Sequence, residues 1–130
     1  MRITLFLFAS LVSLLVGSTT VRAEPFLTGI ADVPLPPDYI EQAADIMVFD
    51  TVNGRVIAVE AYGPRRTAEE IQFFYLQTMP SLGWHNRSPS TGQNILTFDR
   101  DGENLSVHHD PAAERHVLKF YLQPDPHWKP

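Results

Sequence analysis

The sequence predicts an α+β domain: an antiparallel sheet of about five strands, in the chain order ββαβββ, with one helix packed on one face. Three observations predict this fold. Alternating apolar segments flank Asn53-Gly54 and again flank Asp101-Gly102, and a segment of helical periodicity follows Thr67. Tight turns between neighbouring strands indicate hairpins, and therefore antiparallel pairing.

The first segment of the chain, residues 1–23, is predicted to be a removed signal peptide. Arg2 precedes an uncharged apolar run over residues 3–16, and the small residues Val21 and Ala23 suit a signal-peptidase site after Ala23. The run is shorter than the roughly 20 apolar residues of a membrane span, and no later stretch could cross a bilayer. We therefore expect a periplasmic or secreted bacterial protein with no membrane span after signal removal.

Composition excludes several classes of site. The chain of 130 residues has no cysteine, so disulfides and cysteine-based metal sites or nucleophiles are excluded. Its formal net charge is −5, and removal of Arg2 and Arg22 would make it two units more negative. That balance argues against nucleic-acid binding, which usually needs a basic surface.

Residues 24–45 form a predicted proline-rich arm. Pro25, Pro34, Pro36 and Pro37 favour an extended backbone, because each ring fixes φ and restrains the preceding residue. We expect this arm to cover part of the second face of the first hairpin, the face that carries Met47 and Phe49. A single α+β domain then spans residues 46–123, and residues 124–130 are a predicted loose tail.

The first hairpin is predicted from Asn53-Gly54, the preferred dipeptide of a type I′ turn. That turn would place Val52 opposite Arg55 and Val48 opposite Val59. Both faces of the hairpin would then be apolar. One carries Ile46, Val48, Ile57, Val59 and Ala61, and the second carries Met47, Phe49, Val56, Ala58 and Tyr62.

The helix is predicted to begin after Thr67, because Thr67 and Glu70 form a capping-box pattern. Apolar residues recur at helical spacing up to Met79, and Pro80 then stops the helix. Gly83 permits the chain to turn, so that Trp84 packs back on the domain.

The second hairpin, built on Asp101-Gly102, separates apolar from polar residues cleanly. One face carries Leu96, Phe98, Leu105 and Val107, which indicates that the other face is exposed to solvent. Residues 116–122 form the predicted last strand, and aligning Val107 with Leu118 keeps the apolar face continuous.

No catalytic motif is present: G-x-S-x-G, the phosphate-loop patterns and H-E-x-x-H are all missing from the sequence. We therefore name no catalytic residue and favour non-catalytic binding of a protein or cell-envelope component. The predicted binding surface is the second face of the first hairpin, formed by Met47, Phe49, Val56, Ala58 and Tyr62, since one helix on the other face cannot cover it.

A histidine cluster supports an alternative function, the binding of zinc or copper. The predicted register places His109 opposite His116, close enough for two imidazoles to share an ion, and Asp110 or Glu114 could add an oxygen ligand. The simpler interpretation is two half-exposed histidines beside an acidic loop, with no cofactor.

Arg65 and Arg66 stand just before the helix, where the backbone dipole already favours anions. They could hold a carboxylate or phosphate group. Pairing with nearby acidic side chains is the simpler interpretation.

Four strings together resemble a group of small exported proteobacterial proteins, mostly alphaproteobacterial, of unknown function. They are FDTVNGRVIAVEAYG, IQFFYLQTMPSLGW, LTFDRDGENLSV and VLKFYLQP, which match a pattern of FDT-x-x-GR, then FY-x-x-x-(L/M)P-x-LGW, then F-x-R-(D/E)GE-x-L. The resemblance covers about residues 33–124. It implies a domain located in the cell envelope and supplies no catalytic residue.

Overall fold

The structure, a computed structural model, describes residues 25–88 and 94–129. The predicted signal peptide of residues 1–23 lies outside the described residues. In the two described stretches, no helix is both long enough and apolar enough to cross a membrane.

Within these described residues, one antiparallel sheet of seven strands organises the domain, in the spatial order β1-β3-β7-β6-β5-β4, with β2 also paired to β3. The strands are β1 (Ile40–Glu41), β2 (Met47–Thr51), β3 (Gly54–Gly63), β4 (His85–Asn86), β5 (Ile95–Arg100), β6 (Glu103–Asp110) and β7 (His116–Pro124). The α-helix of the described part of the chain, α1 (Ala68–Thr78), lies between β3 and β4, and 3-10 turns occupy Ala43–Asp45 and Met79–Leu82.

The predicted number of about five strands is wrong, because β1 and β4 add two short strands. Each has two residues, too few to show the period-two pattern that reveals a strand. Ile40 pairs with Tyr62, and Met47 pairs with Ala58. Since β7 occupies the other edge of β3, β1 and β2 lie end to end along one edge of the sheet.

The first hairpin forms, but its register differs from the predicted one by two residues. Thr51 pairs with Gly54 and Val48 with Ile57, so Val52 and Asn53 form the tip. Of the residues at this turn, only Gly54 has a positive φ, 132°, whereas a type I′ turn needs positive φ at both central residues. A shift of two residues preserves the alternation, so each side chain stays on its predicted face.

The second hairpin confirms its predicted register, with Arg100 opposite Glu103 around Asp101-Gly102. Both turn residues have positive φ, 50° and 79°, as a type I′ turn requires. The predicted alignment of β6 with the last strand is wrong by two residues, because Val107 pairs with Phe120.

Helix α1 confirms the predicted capping box. The Glu70 amide donates to the Thr67 side chain, and the Thr67 amide donates to the Glu70 carboxylate at 2.7 Å. The helix passes into the 3-10 turn that contains Pro80, and Gly83 then adopts a left-handed conformation with φ 85°. Trp84 follows and is buried.

The core lies on one face of the sheet, where both α1 and the arm cover it. Ile71 and Tyr75 of the helix and Ile30, Val33 and Leu35 of the arm are all buried against it. The predicted position of the arm over the second face of the first hairpin is therefore wrong. An eleven-residue helix is roughly 16 Å long and about 10 Å wide, whereas six strand positions span roughly 24 Å, so the helix leaves apolar surface for the arm to bury.

The segment predicted as a loose tail contacts the second hairpin. β7 extends to Pro124, and the Asp125 amide donates to the carbonyl of Gly102 at 2.8 Å. The Trp128 ring lies over Gly102, where a Cβ would come within 2.8 Å of it. Glycine at the turn therefore permits both the backbone conformation and this contact.

Candidate functional site

The most exposed apolar segment of the described chain is β2. Met47, Val48 and Phe49 are 53%, 56% and 58% exposed, although alternate side chains of a strand point to opposite faces. All five residues of β2 are exposed. Its only strand partner is β3, so the outer edge of β2 has no strand beside it in the described part of the chain.

The open face of the sheet continues this apolar surface across two neighbouring strands. Met47 pairs with Ala58 of β3, and Ala58 in turn pairs with Tyr121 of β7. Tyr121 is 39% exposed, and Ala58 is half-buried. We call this surface the edge patch: Met47, Phe49, Val56, Ala58 and Tyr121.

A shallow hollow of about 230 Å3 lies at one end of the edge patch. Met47, Ala58 and Tyr121 line it, together with the acidic residues Asp45 and Glu60. The hollow is thus lined by apolar side chains and bordered by two carboxylates.

The two carboxylates of the hollow differ in their partners. Glu60 accepts a hydrogen bond from the Tyr62 hydroxyl at 2.7 Å and pairs with Lys119 Nζ at 3.1 Å. The Tyr62 hydrogen bond is the main reason that the pKa of Glu60 lies below its usual value, with Lys119 adding to the effect. Asp45 is in no ion pair within residues 25–88 and 94–129, and neither is Asp50 on β2. The carboxylates of Asp45 and Asp50 are therefore not held in ion pairs in the described part of the chain, although Arg55 lies opposite Asp50 on β3.

The structure brings four of the five predicted surface residues together: Met47, Phe49, Val56 and Ala58. The fifth, Tyr62, pairs with Ile40 of β1 and uses its hydroxyl on Glu60, so it lies farther along β3. Sequence reasoning missed Tyr121. Alternation along a strand puts Tyr121 on the face opposite Phe120, but only the pairing of β3 with β7 places it beside Ala58.

The two arginines before α1 lie near each other but have different surroundings. Arg66 donates from its backbone to His116 Nδ1 at 3.4 Å and from its guanidinium to the Pro37 carbonyl at 3.2 Å. Arg65 lines an open hollow of about 520 Å3 in which Glu114 and Asp38 also lie. Because acids share this hollow, it does not form a uniformly positive anion site.

The predicted histidine cluster is assembled only in part. His109 pairs with Leu118, and His116 pairs with Gly63, so the predicted opposition of the two histidines is wrong. Their rings are nevertheless 5.5 Å apart between centroids. No group of three or more His, Asp or Glu residues in the described stretches could hold a metal ion, so Asp110 and Glu114 do not complete the predicted ligand set.

The two histidines are also more buried than the half-exposed histidines that the simpler interpretation expected. Each is 5% exposed, on the sheet face that carries the core. Burial lowers the pKa of His109, the nearby His116 lowers it further, and Asp110 opposes both effects.

Comparisons with models of protein families, with curated proteins and with solved structures give no match to this chain. Its function must therefore be argued from its own residues.

Proposed function

We propose that this chain is a non-catalytic binding domain of the periplasm or the secreted fraction, and that it takes an extended segment of a protein partner along β2. One observation carries the proposal: three consecutive apolar residues, each more than half exposed, lie on a strand whose outer edge has no strand partner within residues 25–88 and 94–129. Such an edge offers main-chain donors and acceptors that an added strand can pair with.

The two edges of the sheet differ in a way that supports this assignment. Proteins commonly protect an edge by making it short or by adding proline or lysine. The β4 edge is only two residues long, whereas β2 has five residues, MVFDT, and neither proline nor lysine. Among the residues that the structure describes, β2 is therefore the longer of these two edge strands, and it has no proline or lysine.

The chemistry of the edge selects one kind of occupant. Alternate residues of an added strand would face the edge patch, where Met47, Phe49 and the hollow favour apolar side chains. The carboxylates of Asp45 and Asp50 favour lysine or arginine beside them. The partner segment is thus extended, apolar and basic. A second copy of the chain fits less well, because it would bring the same unpaired carboxylates together and carries a net charge of −5.

A peptide titration tests the binding mode. The probe is a synthetic peptide of alternating lysine and valine, added to isotope-labelled protein and followed by NMR. We expect saturable shifts of the amides of β2 and of β3 near Ala58, and no such shifts with a peptide of alternating glutamate and valine. Shifts that are equal for both peptides, or that lie away from β2, would overturn the proposal.

A pair of variants provides the matched control. Phe49→Lys places a positive charge in the edge patch, and Phe73→Lys places the same charge on α1, where Phe73 is 67% exposed. We expect the first variant to lose peptide binding at least tenfold and the second to bind like the native chain. Concentration-dependent dimers that Phe49→Lys abolishes would indicate a second copy as the occupant, and binding to anionic lipid vesicles would indicate an envelope surface. Either result would contradict the proposal.

The export step has its own test. Expressed in a Gram-negative bacterium, the chain should appear in the periplasmic fraction with Glu24 as its first residue. A cytoplasmic chain that retains Met1 would contradict the proposed location.

A further inference from the structure

The hydrogen bonds of β3 decide which main-chain groups of β2 face outward. Along a strand, the N–H and C=O of one residue point to the same side, and those of successive residues alternate between the two sides. The Glu60 carbonyl accepts the Gln42 amide at 2.9 Å, so the main chain of Glu60 points toward the edge that β1 and β2 share. Because β3 keeps a continuous register with both of its neighbours, Ala58, Val56 and Gly54 point the same way.

The orientation of β2 follows from its pairing with those three residues of β3. Their partners are Met47, Phe49 and Thr51, which therefore form their main-chain hydrogen bonds with β3. The N–H and C=O groups of Val48 and Asp50 point to the other side, where no strand lies in the described part of the chain. Each of these two residues thus offers one main-chain donor and one acceptor to an added strand.

Both ends of this row of outward groups are closed. The Ile46 amide donates to the Ala43 carbonyl at 3.5 Å. The Asp45 amide donates to the Gln42 carbonyl at 2.9 Å, so the 3-10 turn before β2 uses these amides within itself. At the other end, Val52 lies at the hairpin tip, where the chain turns into β3. An added strand therefore pairs with two residues of β2, and a segment of about four residues is enough to cover them.

We propose that the partner segment runs antiparallel to β2 and carries one basic residue opposite Asp50, followed by three apolar residues opposite Phe49, Val48 and Met47. This inference rests on the proposed function and specifies the direction, register and residue order of its occupant. Every pair of neighbouring strands in the described stretches is antiparallel, so the added strand continues the pattern of the sheet. Antiparallel pairs are also slightly more stable per residue than parallel ones.

The three apolar positions follow from the side chains of β2. Residues directly opposite each other in an antiparallel pair have their side chains on the same face of the sheet. The residues opposite Phe49 and Met47 would therefore contact the edge patch. The residue opposite Val48 would meet a valine that is 56% exposed, on the other face. Apolar side chains at all three positions bury surface that is exposed to water in the free domain.

The basic position follows from the surroundings of Asp50. This carboxylate is in no ion pair within residues 25–88 and 94–129. Arg55 lies opposite it on β3, but the Arg55 guanidinium pairs with Glu103 at 3.0 Å. A lysine or arginine on the outer side of Asp50 has its Cβ roughly 5 Å from that of Asp50, within reach of the carboxylate. Because the added strand is antiparallel, this basic residue stands at its N-terminal end, beside the hairpin tip.

The same geometry decides which amides of the partner are needed. The residues opposite Asp50 and Val48 exchange main-chain hydrogen bonds with them, so neither of those partner residues can be proline. The residues opposite Phe49 and Met47 point their N–H groups away from β2. Removal of those N–H groups costs no hydrogen bond to this chain.

Methylation of single peptide amides tests this alternation. The probe is a synthetic peptide with the sequence Lys-Val-Leu-Val between glycine-serine flanks, titrated into isotope-labelled protein and followed by NMR. We expect shifts of the β2 amides that saturate. N-methylation of the lysine or the leucine should weaken binding by about tenfold or more, whereas N-methylation of either valine should change it by less than about twofold.

Spin labels test the direction of the bound peptide. A label on the peptide N-terminus should broaden the amide signals of Val52 and Asn53, and a label on the C-terminus should broaden those of Ala44 and Asp45. The basic position is tested by Asp50→Asn, which should weaken binding by about two- to fivefold. Asp101→Asn is the matched control, because it removes the same charge from the exposed tip of the second hairpin.

The outcomes separate this inference from the proposed function. A saturable shift of β2 together with sensitivity to methylation of the valines, or with an N-terminal label that broadens Asp45, would overturn the inference and leave binding at β2 standing. Equal effects of Asp50→Asn and Asp101→Asn would overturn the basic position. A peptide that shifts no β2 amide would overturn both the inference and the proposed function.

Discussion

The guanidinium carbon of Arg100 lies 4.2 Å from the centroid of the Trp84 ring, a cation–π contact on a tryptophan that is 1% exposed. The same guanidinium donates to the Leu82 carbonyl at 2.9 Å and to the Asp32 carboxylate at 3.2 Å. The Trp84 indole N–H donates to the Asp32 carbonyl at 3.0 Å. One arginine of β5 thereby joins the arm and the turn that follows α1.

Arg100→Ala should reduce the free energy of unfolding by about 2 kcal/mol, because it removes a largely buried set of charge-assisted hydrogen bonds and the contact with Trp84. Denaturant unfolding measures this loss. Arg55→Ala is the control: its pair with Glu103 is half-exposed, with the arginine side chain 48% accessible, and should contribute about 0–1 kcal/mol. Equal losses in the two variants would show that Arg100 does not hold the arm.

Tyr75→Phe tests how α1 holds the arm. The Tyr75 hydroxyl, inside the core, donates to the Pro34 carbonyl at 3.1 Å. Phenylalanine leaves that carbonyl without this bond, so the free energy of unfolding should fall by about 1–2 kcal/mol. The control is Tyr121→Phe on the open face, which we expect to change stability by less than about 0.5 kcal/mol. A Tyr75→Phe variant as stable as the native chain would contradict the contact.

Gly63→Ala tests the contact between the arm and the end of β3. A Cβ at Gly63 would overlap the ring of Tyr39, which also donates through its hydroxyl to the Pro64 carbonyl at 3.0 Å. We expect a loss of about 1–3 kcal/mol from overpacking. Tyr39→Leu leaves room for the new methyl group, so the loss caused by Gly63→Ala should be smaller in a Tyr39→Leu background. Strict additivity of the two changes would rule out the overlap.

Tyr62→Phe should raise the pKa of Glu60. The Tyr62 hydrogen bond is the largest cause of the lowered pKa, and the pairing with Lys119 is a smaller one. NMR titration of the Glu60 carboxyl should therefore show a larger rise in Tyr62→Phe than in Lys119→Met. Because the folded pKa is lowered, the stability due to Glu60 is complete above its unfolded pKa and is lost as the pH falls through the folded one. A larger effect of Lys119→Met would reverse the assigned order of causes.

Local sequence signals predicted the parts of the fold that depend on near neighbours. The capping box at Thr67 and the turn at Asp101-Gly102 each satisfy a requirement of a few adjacent residues, and the structure confirms both. The division of each strand into two faces also held where the register did not, because a shift of two residues preserves alternation. Four members of the edge patch were predicted for that reason.

The sequence by itself thus determined the helix, the second hairpin and which residues of a strand share a face. Only the tertiary structure decided that β7 lies between β3 and β6, that the arm shares the core face with α1, and that His109 and His116 are buried side by side. The physical reason is the distance along the chain between the residues that make each contact. Caps and tight turns are set by contacts within a few residues, whereas strand order and the side covered by the arm depend on how much apolar surface distant segments bury against one another.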